Sequence, residues 1–318
     1  MSHPEAPESF RHEALLYAGE DEFLAGTVPF VRAGIDAGEP TLVALPERRA
    51  AALERALGHR AGGVCFVDMQ QLGRNPGRII SAWHDFVAAR PDRRTGVRGI
   101  GEPAWPGRSA AELDECRRHE ALLNAAFADG PDFVLLCPYD VEGLPEAVVH
   151  EARGTHPYVC EHGGCASSDT FLPPDCEVFA GELEPAPDDA DVLRFDIGVL
   201  RVVRALVDAR ALAAGLGSER RADVVSAATE LATNSIRHAG GLGTLRVWRD
   251  GSALAVEVED AGHLQEPLVG RVRAPLDQPH GRGLWLVHQL CDLVQVRSCG
   301  GRTIVRARME PMPDGVAA

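Results

Sequence analysis

Residues 229–240 read TELATNSIRHAG, and this stretch decides the fold of the C-terminal part of the chain. Glu230 and Asn234 lie four positions apart, so a helix presents both from the same face. An amide oxygen suits Mg²⁺, which prefers oxygen ligands and usually carries phosphates and water as well. A carboxylate beside it could take a proton from an attacking hydroxyl or water. Glu and Asn are also common on solvated helix faces, so this pair alone does not fix the chemistry.

Three further residues extend the pattern. His238 lies one more turn along the helix, where it could contact phosphate or ribose. Asp260 ends the predicted strand ALAVEVED, and a carboxylate there can accept a hydrogen bond from an exocyclic amine such as that of adenine. Gly262 would let the backbone approach a ring closely. On its own, a strand that ends in Asp-Ala-Gly is more often an ordinary turn.

The stretch HGRGLWLVHQL, residues 280–290, joins flexible glycines to the start of an amphipathic helix. Backbone N–H groups at such a start favour phosphate, although a GxG before a helix is a weak signal by itself. Residues 262–281 are rich in Gly and Pro, and they form either a mobile lid over a nucleotide or a plain surface loop. The order helix–helix–strand–strand–loop–helix–strand–strand predicts an α+β sandwich with its helices on one sheet face.

In this order, the three motifs resemble the GHKL ATPase superfamily over about residues 195–310. ELATNSIRHA resembles the N box, EDAG the first glycine box and GRGLWLV the second. The resemblance implies a Bergerat-type sandwich that binds ATP and Mg²⁺, and a homodimer. It implies that Glu230 is the general base and that Asn234 binds Mg²⁺. It also implies that adenine is contacted by Asp260, Gly262 and Thr303, and that the phosphates are contacted by Gly281, Arg282, Gly283 and Leu284. The sequence departs from the family at His263, where a further glycine is usual.

Within the superfamily, the C-terminal part is most similar to anti-sigma-factor serine kinases of the RsbW and SpoIIAB type. The helix before the N box, RVVRALVDARALAAGL, lacks the phosphoacceptor His of a histidine kinase. The resemblance implies an anti-sigma factor with protein serine/threonine kinase activity, whose partners are a sigma factor and a STAS-type anti-sigma antagonist. Two alternatives stay open. One is a non-catalytic, ATP-switched binding module, and the other is a histidine kinase whose acceptor is His119 or His150.

Residues 11–154 alternate short apolar strands with amphipathic helices, which predicts a doubly wound, mostly parallel α/β sheet. Ser109 is a predicted helix N-cap in this part, and Ser218 is the predicted N-cap of the helix that carries Glu230. This part resembles the MEDS (DcmR-type) sensory family through HEALLYAGEDEFLAGTVPFVRAGIDAGEPTLVAL, GIGEPAWPGRSAAELDECRRHEALLNAAF and LLCPYD. The resemblance implies a small-molecule ligand. Six residues near predicted strand ends or loops are candidate pocket residues, or they merely pack. They are Tyr17, Asp68, Glu102, Trp105, Tyr139 and Asp140.

Residues 155–194 interrupt this alternation with prolines and acids, and we interpret them as a linker. The linker carries four possible zinc ligands: Cys160, His162, Cys165 and Cys176. Their spacing is not the paired CxxC of common zinc sites. Free thiols in a mobile segment are the default interpretation, and a redox switch through Cys160 and Cys165 is another.

The composition of the whole chain limits its possible functions. Its 318 residues allow about two domains, and its net charge of −15 argues against nucleic acid or an anionic membrane as a partner. The chain contains no lysine, which excludes a P-loop lysine, a Schiff-base lysine and a kinase strand lysine. No stretch has the length and hydrophobicity of a membrane helix or a signal peptide, so we expect a soluble, cytoplasmic protein with reduced cysteines.

Overall fold

The computed structural model describes residues 10–89, 95–130, 132–173, 179–274 and 281–311. The chain divides into an N-terminal unit, Met1–Asp175, and a C-terminal unit, Cys176–Ala318. No helix in these described ranges is long and apolar enough to cross a membrane.

The N-terminal unit is built on a seven-stranded sheet of strand order β3-β2-β4-β5-β1-β6-β7. The strand pairs are parallel except for the antiparallel β6–β7 hairpin. Its strands are β1 (Phe10–Tyr17), β2 (Thr41–Leu45), β3 (Val64–Asp68), β4 (Val97–Gly101), β5 (Phe133–Asp140), β6 (Tyr158–Glu161) and β7 (Gly164–Ser167). Its helices are α1 (Gly19–Ala37), α2 (Glu47–Leu57), α3 (Met69–Leu72), α4 (Ile79–Ala88), α5 (Ala110–Ala126) and α6 (Glu146–Thr155). The predicted α/β class with a mostly parallel sheet is confirmed.

Two local sequence signals explain much of this unit. Every residue of β2 is buried, as expected for a continuous apolar strand inside a parallel sheet. At the start of α5, Ser109 Oγ accepts a hydrogen bond from the Glu112 backbone N–H, and the Glu112 carboxylate accepts one from the Ser109 N–H. This reciprocal capping box confirms the predicted N-cap.

The C-terminal unit is an antiparallel five-stranded sheet of order β11-β12-β10-β9-β8, and its described residues form three α-helices. Its strands are β8 (Asp191–Phe195), β9 (Gly243–Asp250), β10 (Ala253–Asp260), β11 (Leu293–Cys299) and β12 (Arg302–Met309). Its helices are α7 (Leu200–Ala213), α8 (Ser218–His238) and α9 (Gly283–Leu290). Alternate residues of the strands share one hydrophobic core with the three helices, which confirms the predicted α+β class.

Some elements differ from the sequence-based expectations. Helix α8 begins at Ser218 itself, after Gly217 in extended backbone, and no side chain caps it. The prediction that Ser218 is the N-cap is therefore wrong by one residue. In the segment predicted as a linker, β6 and β7 extend the first sheet and β8 joins the second, pairing with β9. Strands of only four or five residues carry too little apolar pattern to stand out among prolines and acids.

Candidate functional site

A cavity of about 410 Å³ lies between α8, α9 and the strands β10 and β12 of the C-terminal unit. The elements bring predicted site residues together here because β10 and β12 are neighbours and α8 packs across both. Eight of the ten predicted site residues line the cavity: Asn234, His238, Asp260, Gly262, Gly281, Gly283, Leu284 and Thr303. Glu230 and Arg282 are outside this lining.

The carboxylate of Asp260 is held in a fixed orientation at the end of β10. Its Oδ2 accepts a hydrogen bond from Ser235 Oγ at 2.5 Å, and its Oδ1 accepts one from the Gly262 backbone N–H at 2.8 Å. A Cβ at position 262 would lie 2.8 Å from Asp260 Oδ1 and 3.1 Å from Ala239 Cβ, so a side chain there would displace the carboxylate. An ionised carboxylate keeps further acceptor sites, so Asp260 can still bind an amine inside the cavity.

A chain of hydroxyl groups ties the loop after β10 to the last strand pair. Thr303 lies opposite Asp260 in the β10–β12 register, and its Oγ1 donates to the Gly262 carbonyl oxygen at 3.0 Å. Ser298 Oγ is 2.9 Å from Thr303 Oγ1 and accepts a hydrogen bond from the Leu264 backbone N–H at 2.9 Å. These contacts fix the floor of the cavity where the predicted adenine contacts meet.

The first turn of α9 lies directly against the Glu-Asn pair of α8. A Cβ at Gly283 would sit 2.9 Å from Glu230 Oε2 and 3.3 Å from Asn234 Oδ1. Because Gly283 has no side chain, the helix start approaches both polar side chains closely. The backbone N–H groups at that start, which favour phosphate, therefore lie beside a carboxylate and an amide oxygen. Glu230 is partly buried and lies behind Gly283, which itself lines the cavity.

Two histidines stand at the cavity's rim. His238, the last residue of α8, is exposed and lines the cavity as predicted. His263 is also exposed and lines it, with its Nδ1 3.4 Å from Ser298 Oγ. The departure from the family pattern at position 263 therefore lies at the site itself.

The structure also adds residues that sequence reasoning did not select. Ser235 and Ser298 orient the polar floor, and Leu231, Val258 and Val305 supply apolar wall. The three apolar residues follow the ordinary core pattern, so nothing in the sequence separates them from other buried residues.

The predicted lid is only partly described. Pro275 and Pro279 lie outside the described residues, so the lid hypothesis stays untested there. Gly270, in the described part, has φ +76°, and a Cβ there would lie 2.6 Å from Leu284 Cγ. The loop therefore packs closely on α9 at this point.

Comparison with known families assigns both halves of the chain. Residues 11–157 match the MEDS family, the MEthanogen/methylotroph, DcmR Sensory domain, and residues 194–309 match the histidine kinase-like ATPase domain. The chain carries a MEDS domain followed by a histidine kinase-like ATPase domain. No curated protein matches the chain.

Two solved structures are similar to part of the chain. One is the crystal structure of the RsbU and RsbW domains of a Mycobacterium tuberculosis protein, with 19% identity and a TM-score of 0.29 over 40% of this chain and 33% of that chain. The other is the Acinetobacter baumannii histidine kinase AdeS, with 16% identity and a TM-score of 0.24 over 39% of this chain and 68% of that chain. The matched part thus spans about a third of the length of the first.

In the MEDS domain, three of the candidate pocket residues join one buried network. Tyr17 OH donates to Glu102 Oε1 at 3.0 Å, and Arg49 Nε lies 3.2 Å from the same oxygen. Arg49 Nη2 also donates to Asp140 Oδ2 at 2.6 Å. Burial raises the pKa of Glu102 to about 8, against the opposing effect of the Arg49 charge. The network joins residues at or just beyond the carboxyl ends of β1, β4 and β5.

The remaining candidate pocket residues of the MEDS domain have structural contacts. Asp68 Oδ1 accepts from the Gln70 backbone N–H at 2.9 Å and so caps α3. The Arg108 guanidinium stacks over the Trp105 ring, 3.5 Å from its centroid. Tyr139 is buried, with its ring packed edge-on against His156.

The cysteine-bearing segment forms the β6–β7 hairpin. Cys160 and Cys165 are opposite each other in its register and form a disulfide. The expectation of reduced cysteines is wrong for this pair, and disulfide sulfurs are not zinc ligands. Cys176 lies outside the described residues, and His162 occupies the hairpin turn with φ 51°. The predicted zinc set therefore does not assemble among the described residues, whereas the redox interpretation stays a prediction.

Proposed function

We propose that the chain is an ATP-binding anti-sigma factor with protein serine/threonine kinase activity towards a STAS-type anti-sigma antagonist, controlled by its MEDS domain. The observation that carries this proposal is the meeting of Glu230, Asn234 and the start of α9 around Gly283. A proton acceptor, a metal ligand and a phosphate-binding helix start are the parts that phosphoryl transfer to a hydroxyl requires.

The residues present fit ATP and Mg²⁺. Asn234 Oδ1 is a hard oxygen ligand, and Mg²⁺ needs few protein ligands because phosphates and water supply the others. The backbone from Gly281 to Leu284 would hold the phosphates, and Asp260 beside Gly262 would hold the adenine amine. When bound, ATP supplies the phosphoryl group and Mg²⁺ offsets its charge.

Glu230 would act on the substrate rather than on the nucleotide. Its carboxylate borders Gly283, so it lies next to the region where the terminal phosphate would sit. It would take the proton from a serine hydroxyl as that oxygen attacks. The proposed antagonist would bring this hydroxyl, and the proposed sigma factor would bind the ATPase domain from outside the cavity.

A second candidate function, a non-catalytic module that uses ATP as a switch, is favoured by His263. This imidazole lines the cavity where the family pattern has a small, flexible glycine. The histidine kinase alternative has less support. His119 is only 1% exposed within α5, whereas His150 is exposed on α6, and α7 contains no histidine.

The proposal is tested by incubating the full chain with Mg²⁺, ATP labelled on its terminal phosphate and purified STAS-type antagonists. We expect acid-stable phosphoserine on one antagonist. Glu230→Ala should slow its formation about 10²–10⁴-fold, the usual contribution of a general base. Glu219→Ala is the matched control, because Glu219 is an exposed carboxylate in the first turn of the same helix and should leave the rate unchanged.

The other possible outcomes contradict different parts of the proposal. An unchanged rate in Glu230→Ala contradicts the assigned base. ATP binding without transfer to any antagonist selects the binding module. Acid-labile label on the chain itself selects a histidine kinase. Pull-down of the sigma factor with and without ATP then tests the partner.

A further inference from the structure

Four buried side chains converge inside the MEDS domain, far in sequence from the ATPase motifs. They are His12 of β1, Glu120 of α5, Cys137 of β5 and His156 just after α6, and each is at most 1% exposed. Glu120 Oε2 is 3.0 Å from His12 Nε2 and 3.4 Å from His156 Nε2. Cys137 Sγ is 3.4 Å from His12 Nε2 and 3.5 Å from Glu120 Oε2. One possible ligand atom from each side chain thus lies within 4.8 Å of every other.

The surroundings fix which nitrogen of each imidazole faces the centre of these four groups. His156 Nδ1 is 2.7 Å from the Ala152 carbonyl oxygen, which can only accept, so Nδ1 carries the proton. His12 Nδ1 is 3.1 Å from Asn124 Oδ1, and that amide is oriented because its Nδ2 donates to the Thr155 carbonyl at 2.8 Å. Each ring therefore turns its Nε2 towards the shared centre. Metal-binding histidines are held by this kind of outer hydrogen bond.

The groups that meet at the centre are almost all acceptors. Two Nε2 lone pairs and a carboxylate oxygen face one another, and the Cys137 thiol can offer only one weakly donated proton. No described residue donates a hydrogen bond to His156 Nε2. A single cation at the centre would satisfy all four groups at once.

We propose that His12, Glu120, Cys137 and His156 bind one zinc ion. Zinc takes nitrogen, sulfur and carboxylate ligands at about 2.0–2.3 Å, and a tetrahedron of such ligands has edges of about 3.2–3.6 Å. The observed separations of 3.4, 3.4 and 3.5 Å match those edges, and the 3.0 Å pair needs a small outward shift. Mixed imidazole and thiolate ligation favours zinc over Mg²⁺ or Ca²⁺, which select oxygen.

Such a site would be structural. Its ligands come from β1, α5, β5 and the end of α6, so one ion would join four elements of the MEDS fold. The site has four protein ligands, is closed to solvent and lacks an open coordination position, as structural zinc sites do. Zinc would enter during folding, because closed sites of this kind form together with the fold.

Metal analysis of the full chain tests the site. After incubation with zinc and desalting, we expect about one zinc ion per chain, as for a single four-ligand site. Cys137→Ser and His156→Gln should lose it, and Asn124→Ala should weaken binding about 10–100-fold through its outer hydrogen bond. Cys116→Ser is the matched control, since Cys116 is another buried cysteine, on α5, with its Sγ donating to Pro103 O.

Cobalt replacement gives a spectrum of the wild-type chain that is informative even if a variant fails to fold. The Co²⁺-loaded wild-type chain should show a tetrahedral visible spectrum with a thiolate-to-cobalt charge-transfer band. Cys137→Ser should lose that band, and Cys116→Ser should keep it. Wild-type protein without stoichiometric zinc, a spectrum without the thiolate band, or equal metal loss in both cysteine variants would overturn the proposal in favour of a metal-free buried polar cluster.

Discussion

Ser235 has a larger role in the candidate site than its sequence context indicates, because it orients the carboxylate of Asp260. Ser235→Ala removes this 2.5 Å hydrogen bond from a nearly buried position. We expect the free energy of unfolding of the ATPase domain to fall by about 1.5–3 kcal/mol, as for hydrogen bonds to charged groups. Urea unfolding of the full chain, followed through the ATPase domain transition, measures it.

Ser226→Ala provides the comparison for this prediction. Ser226 is exposed on the same helix, and its Oγ donates only to the Ala222 carbonyl. Its replacement should stay within about 0.5 kcal/mol of wild type, as surface substitutions do. Equal shifts for the two serines would show that Ser235 does not orient Asp260.

At this scale, the sequence predicted residues whose chemistry is visible in isolation. Asn234 offers a metal ligand, Asp260 offers a hydrogen-bond acceptor, and Gly283 gives the backbone conformational freedom. These properties can be inferred from residue type and spacing. Ser235 and Ser298 could not be predicted, since their roles depend on which group folding brings opposite them. Asp260 reaches Ser235 from the end of β10, and β9 and the hairpin turn lie between the two residues in the sequence.

At the scale of elements, two helix starts predicted in the same way differ in the structure. Ser109 caps α5 in a reciprocal box with Glu112, whereas Ser218 is the first residue of α8 and caps nothing. We expect Ser109→Ala to lower the free energy of unfolding of the MEDS domain by about 1 kcal/mol. Ser218→Ala should leave the ATPase domain within a few tenths of a kcal/mol, which chemical denaturation checks. A larger effect at Ser218 would contradict the observed helix start.

The strand β4 shows why some elements escape prediction. Its sequence VRGIG contains two glycines, which weaken a strand pattern. The structure explains them, because a Cβ at Gly99 would lie 2.9 Å from the Trp83 ring and one at Gly101 would lie 3.1 Å from it. The glycines accommodate a tryptophan from α4, and this contact is not visible from either segment alone.

For the molecule as a whole, chain length and the order of elements predicted more than the inferred compartment did. The length of 318 residues allowed about two domains, and the chain matches a MEDS and an ATPase family model over separate ranges. The inferred compartment led to reduced thiols, but the hairpin brings Cys160 and Cys165 together as a disulfide. A cross-strand pair depends on register, which composition does not contain.

ATP binding in the cavity between α8 and α9, through Mg²⁺ held by Asn234, can be measured by isothermal titration calorimetry of the full chain with and without Mg²⁺. We expect Mg²⁺-dependent binding of about one ATP per chain. Asn234→Ala should abolish the Mg²⁺ dependence, while Thr233→Ala, one position away and outside the cavity lining, should preserve it. Absence of binding heat in the wild-type chain, or identical titrations of wild type and Asn234→Ala, would show that the cavity does not bind ATP in this way.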